Sequence, residues 1–246
     1  MNFGEKITKL TKKKKLHFSL LDPDKQNPKT AGEIAKIVTD AGSSAIMVGG
    51  STISSHKQVD TAVKEIKKNS DLPIILFPSG AKYLSKYADA VFFMSLLNSR
   101  NLDFVIREHI KGALFVKQSG LEPISMGYII VEPGMTVAKI GEADIIKKND
   151  VETAVGYGLA AQYLGMKFFY LEAGSGAHYP ASNEMISQLK KNLDIPLLVG
   201  GGIKNAKIAK EKANAGADII ITGTTLENGK NIKSKIKEII DAIMER

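Results

Sequence analysis

LLVGGGIKNAKIAKEKANAGADIIITGTT, Leu197 to Thr225, contains two apolar runs that each end in glycine. Leu197-Leu198-Val199 reads as a short buried strand, and Gly200-Gly201-Gly202 follows with backbone that carries no side chain to obstruct a ligand. The spacing then predicts a helix capped by Asn205 and stopped by Gly216, and a second buried strand, Asp218 to Thr222, that runs into Gly223-Thr224. Two strand–glycine–helix units in tandem, in a chain of this size, are the pattern of strands 7 and 8 of a (β/α)8 barrel, where that fold commonly binds phosphate. Glycines after strands are also ordinary turn residues, and the tandem is what favours phosphate. A buried phosphate needs bare N–H groups and a helix N-terminus, and glycines permit both.

At 246 residues the chain fits a single barrel of roughly 250 residues, and the absence of a long Pro/Ser/Gly linker favours one domain over residues 1–246. Apolar residues make up 43%, and the mean hydropathy is −0.06. These values suit a sizeable core, and no apolar run approaches the roughly 18 residues of a membrane span. No export signal is read at the N-terminus, so a cytoplasmic location is expected. The lack of cysteine excludes disulfides, thiolate catalysis and zinc–thiolate sites. A net charge of +8 suits anionic substrates, an acidic lipid surface or nucleic acid. The lysines are scattered over helices apart from Lys12 to Lys15, and no aromatic ladder is interleaved with arginine. A nucleic-acid platform is therefore not expected, while peripheral contact with a membrane stays open.

Taken in order, the predicted strands are Leu16–Leu21, Ala45–Val48, Leu72–Leu76, Ala90–Met94, Met126–Val131, Lys167–Leu171, Leu197–Val199 and Asp218–Thr222. Helices are expected at about Pro28–Ala41, His56–Asn69, Leu102–Gln118, Val151–Leu164, Ser182–Asn192, Asn205–Ala215 and Asn231–Met244. After the third strand only Ala81 to Lys86 is available, too little for a full helix. The expectation is an α/β fold, a single-domain (β/α)8 TIM barrel with a degenerate third helix.

All strand-to-helix loops of such a barrel lie on one face. That face collects Asp22, Asp24, Gly49 to Thr52, Ser95, Asn98, Glu132, Glu172, Gly174 to Gly176, Gly200 to Gly202, and Gly223 to Thr225, enough for two anionic ligand groups. Asp22 with Ser51 or Thr52 is too thin for an all-protein metal cage, but Mg2+ takes one or two protein oxygens with waters and substrate phosphates. Asp22-Pro23-Asp24 reads equally as an ordinary turn. An acidic residue placed directly after a buried strand, as Glu172 is, needs a partner or a job. His56 and His109 are expected at the surface or the edge of the core, His17 lies within a strand, and only His178 falls in a site loop.

LLDPDK at Leu20–Lys25, GGST at Gly49–Thr52, SLLNS at Ser95–Ser99, YIIVEPG at Tyr128–Gly134, YLEAGSGA at Tyr170–Ala177, VGGGI at Val199–Ile203 and TGT at Thr222–Thr224 occur in that order. Together they resemble the archaeal geranylgeranylglyceryl phosphate synthase family, whose bacterial relatives make a heptaprenyl version. Leu20 stands where those bacterial relatives carry lysine, which places the chain with the archaeal type. The family's loop has a glycine after the residues matching Thr136-Val137, and this chain has Ala138-Lys139.

The resemblance implies a prenyltransferase that joins the 3-hydroxyl of sn-glycerol 1-phosphate to geranylgeranyl diphosphate, an early step in archaeal membrane lipid synthesis. It implies that Asp22 and Ser51 hold Mg2+ against the diphosphate. It also implies that Tyr170, Leu171, Glu172, Ala173, Gly174, Ser175, Gly176, Gly201, Gly202, Gly223 and Thr224 bind sn-glycerol 1-phosphate, and that the chain forms a homo-oligomer. Glu172 is the expected catalytic residue, removing the proton of the attacking hydroxyl. The prenyl tail is expected along Phe77–Tyr87 and the helix at Leu102–Gln118, where the wall lacks a helix. The rivals are a phosphosugar isomerase or lyase on the same barrel, or a non-catalytic phosphate-binding protein.

Overall fold

The computed structural model describes residues 1–50, 53, 55–227 and 231–245. Eight parallel strands close in sequence order into one barrel: β1 (Leu16–Leu21), β2 (Ala45–Val48), β3 (Ile74–Leu76), β4 (Ala90–Leu96), β5 (Glu122–Ile130), β6 (Phe168–Glu172), β7 (Leu197–Gly200) and β8 (Ile219–Thr222). Closure is made by β1 against β8, with Leu16 beside Ile219 and Ser19 beside Thr222.

Side chains alternate between the barrel interior and the helical layer, as closure requires. Phe18, Met47, Phe92, Met126, Phe168, Tyr170 and Leu198 fill the interior. Ile46, Val48 and Ile74 face α2 (Pro28–Ala41) and α3 (His56–Asn69), while Ile129, Leu171 and Val199 face α6 (Val151–Tyr163), α7 (Asn183–Asn192) and α8 (Ala206–Ala215). Each such buried side chain contributes about 1.5–3 kcal/mol. The helices start where short polar side chains accept first-turn N–H groups: Asn27 from Thr30, Ser182 from Met185 and Asn205 from Ile208. The closing helix α10 (Ile232–Met244) buries Ile232, Ile236, Ile239 and Ile243 on one stripe.

Between β3 and β4 there is only one 3-10 turn, Ala81–Tyr83. The wall is thin there, as the short Pro78-to-Lys86 connection dictates. The helix after β4 opens with a widened turn, Asp103–Arg107, before α4 (Glu108–Ser119). Two short helices lie in loops: α5 (Met135–Ile140) after β5, and α9 (Thr224–Glu227) directly after β8.

One element goes beyond the sequence expectation. The N-terminal helix α1 (Phe3–Thr11) carries a capping box, in which Asn2 accepts from the Glu5 N–H at 2.8 Å and Glu5 accepts from the Asn2 N–H at 3.2 Å. Glu122, at the start of β5, accepts from the N–H groups of Phe3 and Gly4 at 2.6 and 2.7 Å. This ties α1 to the end of the barrel opposite the active face, where Ile7 buries its side chain with Leu16 and Ile124. The Asn2–Glu5 spacing is the sequence signal for it.

His17 points outward from β1 and is fully enclosed. Its Nδ1 lies 2.8 Å from the Ser43 hydroxyl and its Nε2 lies 2.9 Å from that of Thr222, so the ring clamps the seam between β1 and β8. Burial pushes its pKa down from 6.5 to about 3, so the folded chain holds it neutral while the unfolded chain protonates it below 6.5. Its contribution is complete above pH 6.5 and is lost as pH falls towards 3, with a slope of at most about 1.4 kcal/mol per pH unit. Urea unfolding at stepped pH is expected to show wild-type stability falling more steeply between pH 6.5 and 4 than that of His17→Gln. Parallel acid limbs in the two proteins would contradict this assignment.

Candidate active site

Glu172, the last residue of β6, turns its side chain into the mouth of the barrel and is 7% exposed. The Tyr170 hydroxyl donates to its Oε2, and the Gly174 N–H donates to its Oε1 at 2.5 Å. Burial raises its carboxyl above the usual 4.5, and these two donors work against the rise. Burial, followed by the Glu172 charge, pushes the Tyr170 hydroxyl well above its ordinary value, so Tyr170 is the donor of the pair. Its ring is packed by Tyr128 and Phe77 at centroid separations of 5.2 and 5.7 Å.

Gly200 at the end of β7 and Gly201 directly after it are what let this group stand there. A Cβ on Gly200 would lie 2.2 Å from the Tyr170 hydroxyl, and one on Gly201 would lie 2.5 Å from Glu172 Oε1. Gly201 also has φ +80°, in the left-handed region. The glycine run thus serves the protein's own packing as well as open access. The N–H groups of Gly201, Gly202 and Gly223 find no acceptor among the described residues. Ser175 and Thr224 bring their hydroxyls within 3.2 Å of each other, joining the loop after β6 to the first turn of α9. Gly174 is buried and Gly176 is exposed on the same loop. This corner therefore offers bare N–H groups, two hydroxyls and a helix start, a set that suits a phosphate. Leu171 and Ala173 differ from their neighbours: their side chains are buried in the outer layer, so their side chains do not enter the bowl.

Asp22 follows β1 on the opposite rim. A Cβ on Gly50 would lie 2.2 Å from its Oδ1, so a side chain there would push this carboxylate from its place. The Asp24 N–H donates to it at 3.1 Å. Lys25 Nζ stands 3.8 Å from its Oδ2 and 2.6 Å from Glu227 of α9. Ser51 and Thr52 lie outside the described residues. Among those described, no three His, Asp or Glu side chains come together to hold a metal. One available carboxylate beside open backbone fits a magnesium ion that takes most of its ligands from water and substrate phosphate.

From this bowl a single groove runs into apolar surroundings. Asp22, Lys25, Glu172, Ser175 and Gly223 line its polar end, and Leu20, Phe77, Met94 and Tyr128 its middle. It then leaves through the thin wall between the 3-10 turn and α4, past Ala81, Leu84, Phe93, Phe104 and Gly112. His109 was expected at the surface or the core edge, and it too faces this groove, its ring edge-on to Phe93 at 4.5 Å. Burial pushes its pKa below 6.5.

Other polar residues of this face serve its loops. Ser95 donates to the Val105 carbonyl at 2.7 Å. Asn98 is buried and donates to the Ile130 and Asp144 carbonyls, and Glu132 accepts from the Lys148 N–H at 2.8 Å. His178 is exposed on the loop after β6. Phe77, at the start of the expected tail path, borders the groove, and Lys25, Tyr128 and Glu227 join the site without an expected role of their own. The inward parity of Tyr128 on β5 is the available signal for one of them.

The PcrB family pattern matches residues 8–243. Geranylgeranylglyceryl phosphate synthase of Pyrococcus horikoshii is 50% identical over 227 residues, covering 92% of this chain and 89% of the relative. The Methanosarcina barkeri protein of the same name is 51% identical over 230 residues, covering 93% of each. The crystal structure of (S)-3-O-geranylgeranylglyceryl phosphate synthase from Thermoplasma acidophilum in complex with sn-glycerol-1-phosphate superposes with a TM-score of 0.97 at 40% identity, covering 99% of both chains.

Gly201→Ala is expected to lower the stability of the fold by more than about 1 kcal/mol, because the new methyl meets both an unfavourable φ and the Glu172 carboxylate. Denaturant unfolding reads this directly. An unchanged midpoint would show that the loop has room that its geometry denies.

Proposed function

The chain belongs to the PcrB family, and from that membership we infer that it is a prenyltransferase acting on sn-glycerol 1-phosphate and geranylgeranyl diphosphate. The 3-hydroxyl oxygen forms a bond to the first prenyl carbon, that carbon's bond to the diphosphate breaks, and the hydroxyl proton leaves. The observation that carries the reading is the continuity of the groove, polar at Asp22 and Glu172 and apolar from Phe77 to Gly112. A phosphosugar isomerase or lyase has no use for that apolar channel, and a passive phosphate binder has none for a buried carboxylate at its head.

In this reading the corner formed by Gly201, Gly202, Gly223, Ser175 and Thr224 holds the glycerol phosphate. The gain is chiefly one of position, since a fixed hydroxyl facing the prenyl carbon converts an encounter into an attack. Tyr170 and Gly174 hold the Glu172 carboxylate still, ready to accept the hydroxyl proton as the C–O bond forms. Burial raises its pKa, which makes it a stronger base than an exposed glutamate. Asp22, with Ser51, would hold magnesium. When bound, that ion neutralises the departing diphosphate.

A second copy of the chain has a candidate docking face. Leu102, Ile106, Ile110 and Leu114 are 49–69% exposed along one side of the helical segment after β4. This apolar stripe fits the homo-oligomer implied by the family resemblance.

Four measurements test this reading. Wild-type protein with both substrates and magnesium is expected to yield a prenylglyceryl phosphate, and Glu172→Gln to yield it at least about 100-fold more slowly. The acid limb of wild-type turnover should lie above 4.5, since activity is lost as pH falls through the raised Glu172 pKa. Near-normal turnover by Glu172→Gln would remove the base. Ala81→Phe narrows the channel and is expected to shift preference to shorter prenyl diphosphates, whereas an unchanged chain-length profile would put the tail elsewhere. Sedimentation should show a multimer that Ile110→Glu dissociates, and a monomeric wild type would refute the docking face.

A further inference from the structure

The charge inventory of the groove conflicts with an incoming diphosphate. Among the described residues lining it, Asp22, Glu108, Glu172 and Glu227 are carboxylates, and Lys25 is the one Lys or Arg. A prenyl diphosphate adds several more negative charges at the polar end. Magnesium at Asp22 offsets part of this repulsion, and a second cation close by is required for the rest.

Lys25 occupies that position. It sits on the loop after β1, and Glu227 sits on α9 after β8. These strands are neighbours at the barrel closure, so the 2.6 Å contact from Nζ to Glu227 Oε1 spans the mouth of the groove. The same Nζ is 3.8 Å from Asp22 Oδ2, which places it beside the carboxylate assigned to the metal. The Lys25 side chain is 37% exposed and that of Glu227 is 19% exposed. A solvent-accessible pair of this kind is weak enough to exchange partners, unlike a buried one.

We propose that Lys25 binds the diphosphate of the prenyl substrate, and that Glu227 is its resident counter-ion, displaced when the diphosphate arrives. Glu227 occupies Lys25 while the groove is free of substrate and keeps its ammonium at the mouth. The arriving diphosphate offers a stronger, multidentate set of oxygens and repels the Glu227 carboxylate. The proposal rests on the prenyltransferase reading and assigns two residues to that same site.

Titration calorimetry with inorganic pyrophosphate and magnesium on the full chain tests it without turnover. Lys25→Gln is expected to weaken pyrophosphate binding roughly 10- to 100-fold, the usual range for losing one charged donor, and Lys25→Arg to restore most of it. Glu227→Gln removes the competitor and is expected to tighten binding severalfold. In the steady state Lys25→Gln should raise KM for the prenyl diphosphate while leaving KM for sn-glycerol 1-phosphate within about twofold.

The proposal is overturned if Lys25→Gln binds pyrophosphate as the wild type does, or if the wild type does not bind it. It is equally overturned if Glu227→Gln weakens binding as much as Lys25→Gln, which would make the pair a structural strap. A wild type that binds pyrophosphate through Lys25 but forms no prenyl product would sink the prenyltransferase reading and, with it, the prenyl part of the proposal, leaving Lys25 as a diphosphate ligand alone.

Discussion

The Glu172 carboxylate, held between the Tyr170 hydroxyl and the Gly174 N–H at the mouth of a closed barrel, is the interaction on which the rest of the active face depends. Keeping a carboxylate at 7% exposure is costly unless donors meet it. Those donors fix several other features. Tyr170 must point inward, so Leu171 points outward into the helical layer. Gly200 and Gly201 must lack side chains, because a Cβ at either would strike the Tyr170 hydroxyl or the carboxylate itself. The loop after β6 must turn back at Gly174, which carries Ser175 towards Thr224. The glycine-lined corner and the buried carboxylate are thus built by one packing arrangement, and a change at either disturbs both.

The second determinant is an omission. Six of the seven strand-to-strand connections carry helices that cover the barrel, and the one between β3 and β4 carries a single turn. The apolar side chains of β3 and β4 would otherwise be sealed, and here Phe77 and Phe93 border a groove. α4 forms its far wall, with Gly112 close to Leu84 and Ala81. A long hydrocarbon and a diphosphate can then share one channel, because polar and apolar halves are contributed by different loops of the same face.

Much of this was legible in the sequence. Eight short apolar runs, spaced by helical periodicity and punctuated by glycine, specify the barrel. Pro78, Gly80 and the brevity of the following segment specify the missing helix. Glu172 stood out because an acidic residue after a buried strand demands a partner, and Tyr170, two residues earlier on the same strand face, is that partner. Other features depend on closure, which sequence spacing does not display. Lys25 and Glu227 are 202 residues apart and meet only because β1 pairs with β8. His109 faces the groove because the widened turn at Asp103–Arg107 rotates the start of α4, and a regular helical wheel does not contain that rotation. The role of Gly200 and Gly201 in accommodating Tyr170 and Glu172 was likewise hidden, since access for a ligand alone explains glycine there.

A crystal structure of the protein with sn-glycerol 1-phosphate, magnesium and a thiolo analogue of geranylgeranyl diphosphate tests the central claim most directly. The account requires the glycerol phosphate at Gly201, Gly202, Gly223 and Thr224, and its free hydroxyl within hydrogen-bonding distance of Glu172. It also requires the prenyl chain in the channel between Ala81–Leu84 and α4. A prenyl chain lying outside that channel, or a glycerol hydroxyl turned away from Glu172, would contradict it.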